Sequence, residues 1–272
     1  MSTTTNRTGF ASIAALSATV LLATGTSLGG QQFITTSGVG ISTAAASAGG
    51  AGYRVAVGER ATYDVELKGH RVGTGSLVVL GDESIEGHST VHASLKVAGG
   101  VLFARVNDQF DSWFERERFV SRRFVQNQRE LRHTRQRSYD IVPESGIVRE
   151  TLTGHVDSLP TAEPLDDVSF LFYVRSLPLR VGDVDTIPRY FKSGRDVVIH
   201  VVRRETVTVP AGTFETIVVQ PTIANAGGLF GQGGKAEVYL TDDSARTLVM
   251  LRSHVPVLGS LALTLRAATT VQ

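Results

Sequence analysis

The chain has 272 residues, of which 42% are hydrophobic and 19% charged, and its formal net charge is +1. This is the composition of a folding globular protein rather than a disordered or polytopic one, and the near-zero net charge leaves any charged partner to be read from local clusters. Cysteine is absent, which excludes disulfides, thiol nucleophiles, thiolate zinc sites and lipidation at a signal cleavage point.

Arg7 followed by the uncharged, Ala- and Leu-rich run from Phe10 to Ala23 reads as a signal peptide over residues 1–26. Residues 27–52 are almost wholly Gly, Ser, Thr and Ala. Such a stretch buries too little to offset its ordering entropy and is expected to be a flexible linker. One β-rich domain is expected over 53–272. No apolar run reaches the roughly 20 residues that cross a bilayer as a helix, so no transmembrane span is expected in the mature chain.

From Tyr63 the pattern turns to period two. Tyr63, Val65 and Leu67 alternate with Asp64, Glu66 and Lys68, which puts apolar side chains on one face of a strand. Gly69 turns the chain into a second strand from Arg71 to Leu80, and Gly81-Asp82-Glu83 supplies the next expected turn. His88–Val97, Val106–Glu115, Arg118–Val125 and Glu130–Ile141 continue the series. Pro160 and Pro164 interrupt it, and Leu165–Leu177 has the spacing of one short amphipathic helix with Asp166 and Asp167 in its first turn. Strands then resume at Val197–Val201, Thr213–Gln220, Lys235–Thr241, Arg246–His254 and Leu258–Arg266. The expected fold class is all-β and mainly antiparallel: a curved sheet, barrel or half-barrel of about a dozen strands with one short central helix.

Three segments carry a family resemblance: Asp167-Val-Ser-Phe-Leu-Phe-Tyr-Val-Arg-Ser-Leu-Pro-Leu-Arg-Val-Gly-Asp183, Val209-Pro-Ala-Gly-Thr-Phe-Glu-Thr-Ile-Val-Val-Gln-Pro221, and Val238-Tyr-Leu-Thr-Asp-Asp-Ser-Ala-Arg246. With the opening Gly58-Glu59-Arg60-Ala-Thr-Tyr63, their order and spacing resemble the exported bacterial domain-of-unknown-function family numbered 3108, over about residues 53–268. The resemblance implies a secreted or lipid-anchored β-barrel or half-barrel. Without cysteine this chain departs from the lipid-anchored members, so a periplasmic or cell-surface location is expected, and not a lipoprotein.

Several clusters invite a chemical reading. Asp242, Asp243 and Arg246 are the most polar group in the family-like region and could orient a ligand, although Asp residues also build hairpin turns by local hydrogen bonds. His88 and His92 lie about 13 Å apart if both sit on one strand, too far to share a metal. The stretch Gly227–Lys235 fails as a phosphate loop, because Leu229 replaces its first glycine and Ala236 its magnesium-binding hydroxyl. Eight arginines fall between Arg116 and Arg137, a run that could grip anionic lipid, polysaccharide or nucleic acid or simply form a solvated face. No nucleophile elbow or ordered triad is present, which weighs against an enzyme without excluding one, and with the histidines scattered and no third ligand evident, no metal site or cofactor is expected.

Two functions remain in view. In one, the sheet closes around a cavity lined by Trp113, Phe170, Phe172 and Phe230, and holds a lipid or other hydrophobic small molecule. A close-packed interior would rule against it. In the other, the protein is a structural or interaction module that docks an envelope protein through its surface. Nucleic acid is not an expected partner for an exported chain.

Overall fold

The computed structural model describes residues 52–101, 104–130, 133–192, 196–223, 235–255 and 259–269. Fourteen strands form one antiparallel sheet: β1 (Arg60–Leu67), β2 (His70–Ile85), β3 (His88–Val101), β4 (Ala104–Phe114), β5 (Ser121–Glu130), β6 (His133–Val142), β7 (Ile147–Glu150), β8 (Val156–Ser158), β9 (Val184–Ile187), β10 (Val197–Val209), β11 (Gly212–Ile223), β12 (Lys235–Thr241), β13 (Leu248–Val255) and β14 (Gly259–Thr269). Each strand pairs with the next in sequence except β8 with β9, and β1 pairs with β14, giving the order β8 through β1, then β14 through β9. This is the wiring of an up-and-down barrel left open at one seam, between β8 and β9.

The helix α1 (Asp167–Ser176) lies in the connection from β8 to β9 and packs against β3 and β4. Its connection is held by backbone hydrogen bonds: Ser121 N–H of β5 donates to Pro164 O (2.8 Å), and Phe191 N–H, in the link after β9, donates to Leu165 O (3.0 Å). Period-two alternation fixes the faces. On β4, Phe110, Ser112 and Phe114 face the helix; on β5, Phe124 and Gln126 share that concave side with Tyr139 of β6. Phe114 meets Phe172 at 5.4 Å, and Phe191 sits between Phe124 and Tyr139, which closes the core on this half.

The helix and the strand character follow the expectation from sequence, with three refinements. β2 runs through Gly81-Asp82-Glu83 and turns only at Glu86-Gly87, where both residues have positive φ; Gly81 pairs with His92, and a bulge at Leu80 precedes it. β5 begins at Ser121, because Phe119 has φ 57° and ends a turn. The short strands β7, β8 and β9 carry too few residues to show a period. Lys68-Gly69, also both at positive φ, makes the two-residue turn between β1 and β2. Gly73 and Gly99 face each other where β2 and β3 approach so closely that a Cβ on Gly73 would lie 2.2 Å from Ala98 O.

Candidate functional site

Both ends of α1 are seated in buried polar sockets. At the N-terminus Asp166 is the extended cap residue: its Oδ1 accepts from the N–H groups of Val168 (2.8 Å) and Ser169 (2.9 Å), and Ser169 Oγ accepts in return from Asp166 N–H (2.9 Å). The second carboxylate oxygen accepts from Ser112 Oγ of β4 at 2.6 Å, and Asp166 N–H also donates to Ser121 Oγ of β5 at 3.0 Å. Asp166 is fully buried. Burial raises its carboxyl above the usual range, and the hydrogen bonds from Ser112, Ser169, Ser121 and Val168 pull it only part of the way back. Asp167 accepts from Tyr190 OH at 2.9 Å and from Gln126 Nε2 at 3.3 Å.

At the C-terminus the anchor is Arg175, buried to within 4% of its side-chain surface and paired with Glu59 at 2.6 Å. Its Nε donates to Arg246 O (2.8 Å), its Nη2 to Ala245 O (3.2 Å), and its guanidinium lies 3.9 Å from the Tyr53 ring centroid. Tyr53 OH donates to the other oxygen of Glu59 at 3.0 Å.

The polar turn read from sequence is what shapes this second socket. Asp243 Oδ1 accepts from Ala245 N–H (3.0 Å), Arg246 N–H (3.1 Å) and Thr241 Oγ1 (2.6 Å), an Asx-type turn between β12 and β13. Arg246, held at φ 45°, donates to Asp242 Oδ1 at 2.9 Å, and Arg204 bonds the other oxygen of Asp242 at 2.6 Å. The structure therefore brings Asp242, Asp243 and Arg246 together, and their geometry aims two backbone carbonyls at Arg175. Asp242 N–H also donates to Glu215 O at 2.9 Å. The four family-like segments, opening with Glu59, thus meet at one end of the barrel.

Between α1 and the sheet lies a narrow apolar cleft lined by Phe170, Val174, Leu77, Ile199, Val219 and Leu240, with Arg175 at its border. Its enclosed free volume is about 10 Å³, the room of a single water. Of the four aromatics grouped from sequence, Phe170 lines this cleft, while Phe172 is fully buried on the other side of α1 against Phe114. Trp113 lies on the convex face, one residue out of phase with Ser112 and Phe114. It stacks on His92 at 4.1 Å and its Nε1 donates to Glu83 at 2.8 Å. Phe230, with the glycine-rich stretch around it, falls outside the described residues.

His92 itself bridges two carboxylates, Nδ1 to Glu83 (2.9 Å) and Nε2 to Asp111 (3.3 Å). Burial lowers its pKa, but the hydrogen bonds to Asp111 and Glu83 outweigh it and the net direction is up. Among the described residues no three His, Cys, Asp or Glu side chains converge as a metal would require. The sockets themselves were missed in sequence. Ser112, a hydroxyl between Phe110 and Phe114 on one strand face, was the available signal for the first; Glu59, in the opening family-like segment, was the signal for the second.

The model of the family described as "Protein of unknown function (DUF3108)" matches residues 62–266. No curated protein matches the chain in sequence. Among solved structures, a β-barrel-like protein of the DUF1849 family from Brucella abortus superposes with a TM-score of 0.50 at 11% identity, covering 80% of this chain and 100% of that one. A Bacteroides fragilis protein described as exported, with a YmcC-like fold, gives 0.31 at 11% identity over 80% of this chain and 98% of its own. A Parabacteroides distasonis protein described as a lipoprotein gives 0.35 at 12% over 80% and 97%. The first of these shows a shared fold. No enzymatic family is indicated.

Proposed function

The chain belongs to the DUF3108 family, and on that premise we propose that it is an exported, non-enzymatic interaction module of the bacterial envelope that acts through its outer surface rather than through an internal ligand chamber. The observation that carries this reading is the close packing around α1 among the described residues. The cleft beside α1 encloses about 10 Å³, whereas drug-sized and lipid ligands occupy roughly 300 Å³ or more. The helix that fills the barrel is not loosely laid in. Its two ends are fixed by Asp166 and Arg175, and its middle by Phe172, so opening a chamber would require breaking buried polar contacts as well as apolar ones. The absence of cysteine fits a periplasmic or surface form without a lipid anchor.

Native mass spectrometry of the purified full chain, followed by solvent extraction, tests this. The expected result is a bare polypeptide mass that does not change when phospholipid is added. A lipid carried at one per chain would overturn it in favour of the second reading, a carrier of a hydrophobic molecule. That reading draws on the largely apolar lining of the cleft and on Phe170, which is partly buried there.

A further inference from the structure

We propose that the convex face of β3–β6 is a binding surface for an acidic polysaccharide that lies extended across the strands. This deepens the surface-acting reading above and rests on it.

Two rows of side chains cross this face from strand to strand. In one, Lys96, Gln109, Asn127 and Gln136 stand level on β3, β4, β5 and β6; in the next, Ala98, Asn107, Arg129 and Thr134 do so. The first row continues through Ser76 of β2 to Thr62 of β1, and the second through Thr74 to Asp64. Alternation puts them on the side away from Leu95, Phe110 and Phe124, and all but Asp64 are exposed or partly so. Asn is depleted in strands, where its side chain competes for backbone hydrogen bonds, and Thr, Lys or Glu would keep such a face soluble as well. Here two asparagines sit on β4 and β5, each strand paired on both sides. Among the described residues the side chains of Lys96, Asn107, Asn127, Arg129, Thr134 and Gln136 make no hydrogen bond or ion pair.

The carboxylates around the rows are already engaged. Asp111 accepts from Gln109 (2.7 Å) and faces His92 (3.3 Å), Asp64 holds Arg71 (2.8 Å) and Arg266 (2.5 Å), and Asp140 holds Arg123 (2.8 Å). Glu83 is bound by Trp113 and His92. Glu66 of β1, two strands from Lys96, accepts from Thr264 at 2.9 Å, and Glu130 registers with Val106, off both rows. Arg105 and Arg149 are further exposed cations at the margins. Arg135 and Arg137, from the same stretch of sequence as Arg129, register with Gln128 and Gln126 on the concave side. The rows are therefore amides and hydroxyls with two uncompensated cations, Lys96 and Arg129, among them.

That chemistry selects the ligand. An amide offers a donor and an acceptor together, which a sugar hydroxyl matches, and a cation beside it suits a carboxylate. Neighbouring strands lie about 4.8 Å apart, close to the length of one sugar ring in an extended chain, so each strand can serve one ring. The rows hold no apolar side chain larger than Ala98, which leaves no wedge for a bilayer and no anchor for a protein interface, and no aromatic ring on which a nucleobase could stack.

The experiment is a titration of the isotope-labelled full chain with a hexamer of mannuronic acid, read by NMR from the side-chain amide signals of Asn107, Gln109, Asn127 and Gln136. A neutral hexamer of β-linked glucose, free glucuronate and phosphatidylglycerol vesicles are titrated in parallel. The expected result is saturable shifts of these four signals with the acidic hexamer. The neutral hexamer should bind at least about fivefold more weakly, the scale of two exposed charge contacts. Asn107→Ala, Asn127→Ala and Gln136→Ala together should weaken the acidic hexamer at least about tenfold, since a net hydrogen bond is worth roughly two- to tenfold. Ser84→Ala, Ser145→Ala and Thr186→Ala, exposed elsewhere, should change little, and urea melts check that both variants fold. Four outcomes overturn the proposal: none of the four signals moves, glucuronate or the neutral hexamer binds as well as the acidic one, both variants lose equally, or the face binds the vesicles instead. A failure here with a bare polypeptide mass leaves the surface-acting reading standing, whereas a lipid extracted from the interior removes that reading itself.

Discussion

The two ends of α1 solve the same problem with different chemistry. A helix crossing the inside of a barrel leaves unpaired backbone groups and long polar side chains away from water, and each end must satisfy them. At the N-terminus this chain uses hydroxyls and backbone N–H groups around one carboxyl, with no cation in contact. At the C-terminus it uses a full ion pair, Arg175 with Glu59, completed by two carbonyls and an aromatic face. The first socket leaves the carboxyl with a raised pKa and therefore a dependence on pH. In the second, two opposite charges compensate each other.

The largest expected effect breaks the C-terminal socket. Arg175→Met keeps the packing volume but leaves Glu59 facing Tyr53 without its cation, and breaking a buried pair from one side costs about 4 kcal/mol. Urea denaturation should show that loss as a lower midpoint at unchanged slope. Adding Glu59→Leu removes the stranded charge, and the double variant should recover to within about 1 kcal/mol of wild type. If the double variant is as unstable as the single one, Arg175 is held by its carbonyls and ring rather than by the ion pair, and the contrast between the two ends disappears.

At the other end Asp166→Ala should cost about 3 kcal/mol, from a lost N-cap together with buried donors left unmatched at Ser112, Val168 and Ser169. A cost below about 1 kcal/mol would mean that water takes over the socket, and that the hydroxyl cage adds little beyond an ordinary cap.

A smaller effect separates the sockets by pH. The folded-state pKa of Asp166 is raised by burial, so its protonated form favours folding: the contribution is fully present below the unfolded carboxylate value of about 3.9 and is lost as pH rises through the folded value. Asp166→Asn keeps an oxygen acceptor for the helix N–H groups and cannot ionise. The stability deficit of Asp166→Asn relative to wild type should therefore shrink from pH 4 to pH 7 in paired urea melts. Glu144 and Glu237, held down to about 2 by Arg122 and Arg203, lose their stabilisation as pH falls, in wild type and variant alike, and cancel from the difference. A deficit that is constant or grows with pH would show that Asp166 stays ionised in the fold.

How much of this was legible in the sequence follows from where each signal lives. The helix was set by Pro164, the paired aspartates and a run of apolar spacing, all local, and its bounds came within two residues. The alternation of Tyr63, Val65 and Leu67 gave strand and face together. The same period explains why Trp113 does not join Phe170 and Phe172. Trp113 alternates with Ser112 and Phe114, so it had to face the other way, and grouping residues by aromatic type ignored the pleat. The seam between β8 and β9 could not be read, since three and four residues are too short to show a period. The rows that cross the strands were hidden for another reason. Strand direction reverses at every turn, so residues that share a row are scattered in sequence, and a run such as Arg116 to Arg137 is divided between rows and faces.

The smallest effect lies on the convex face. His92 has a raised pKa because its hydrogen bonds to Asp111 and Glu83 outweigh burial, so its stabilisation is present below the unfolded histidine value of about 6.5 and is lost as pH rises through the higher folded value. That loss runs in the same direction as the one from Asp166. An optical signal can locate it. Trp113 is the only tryptophan of the chain and its ring stacks on His92 at 4.1 Å; a protonated imidazole against an indole quenches its emission. Fluorescence of the folded protein should rise with pH about a midpoint above 6.5, and His92→Gln should abolish the step while leaving the Asp166→Asn difference at acidic pH unchanged. A step that survives His92→Gln would place the titrating group elsewhere. A midpoint below 6.5 would mean that burial outweighs the two carboxylates, and His92 would then gain stability with rising pH instead of losing it.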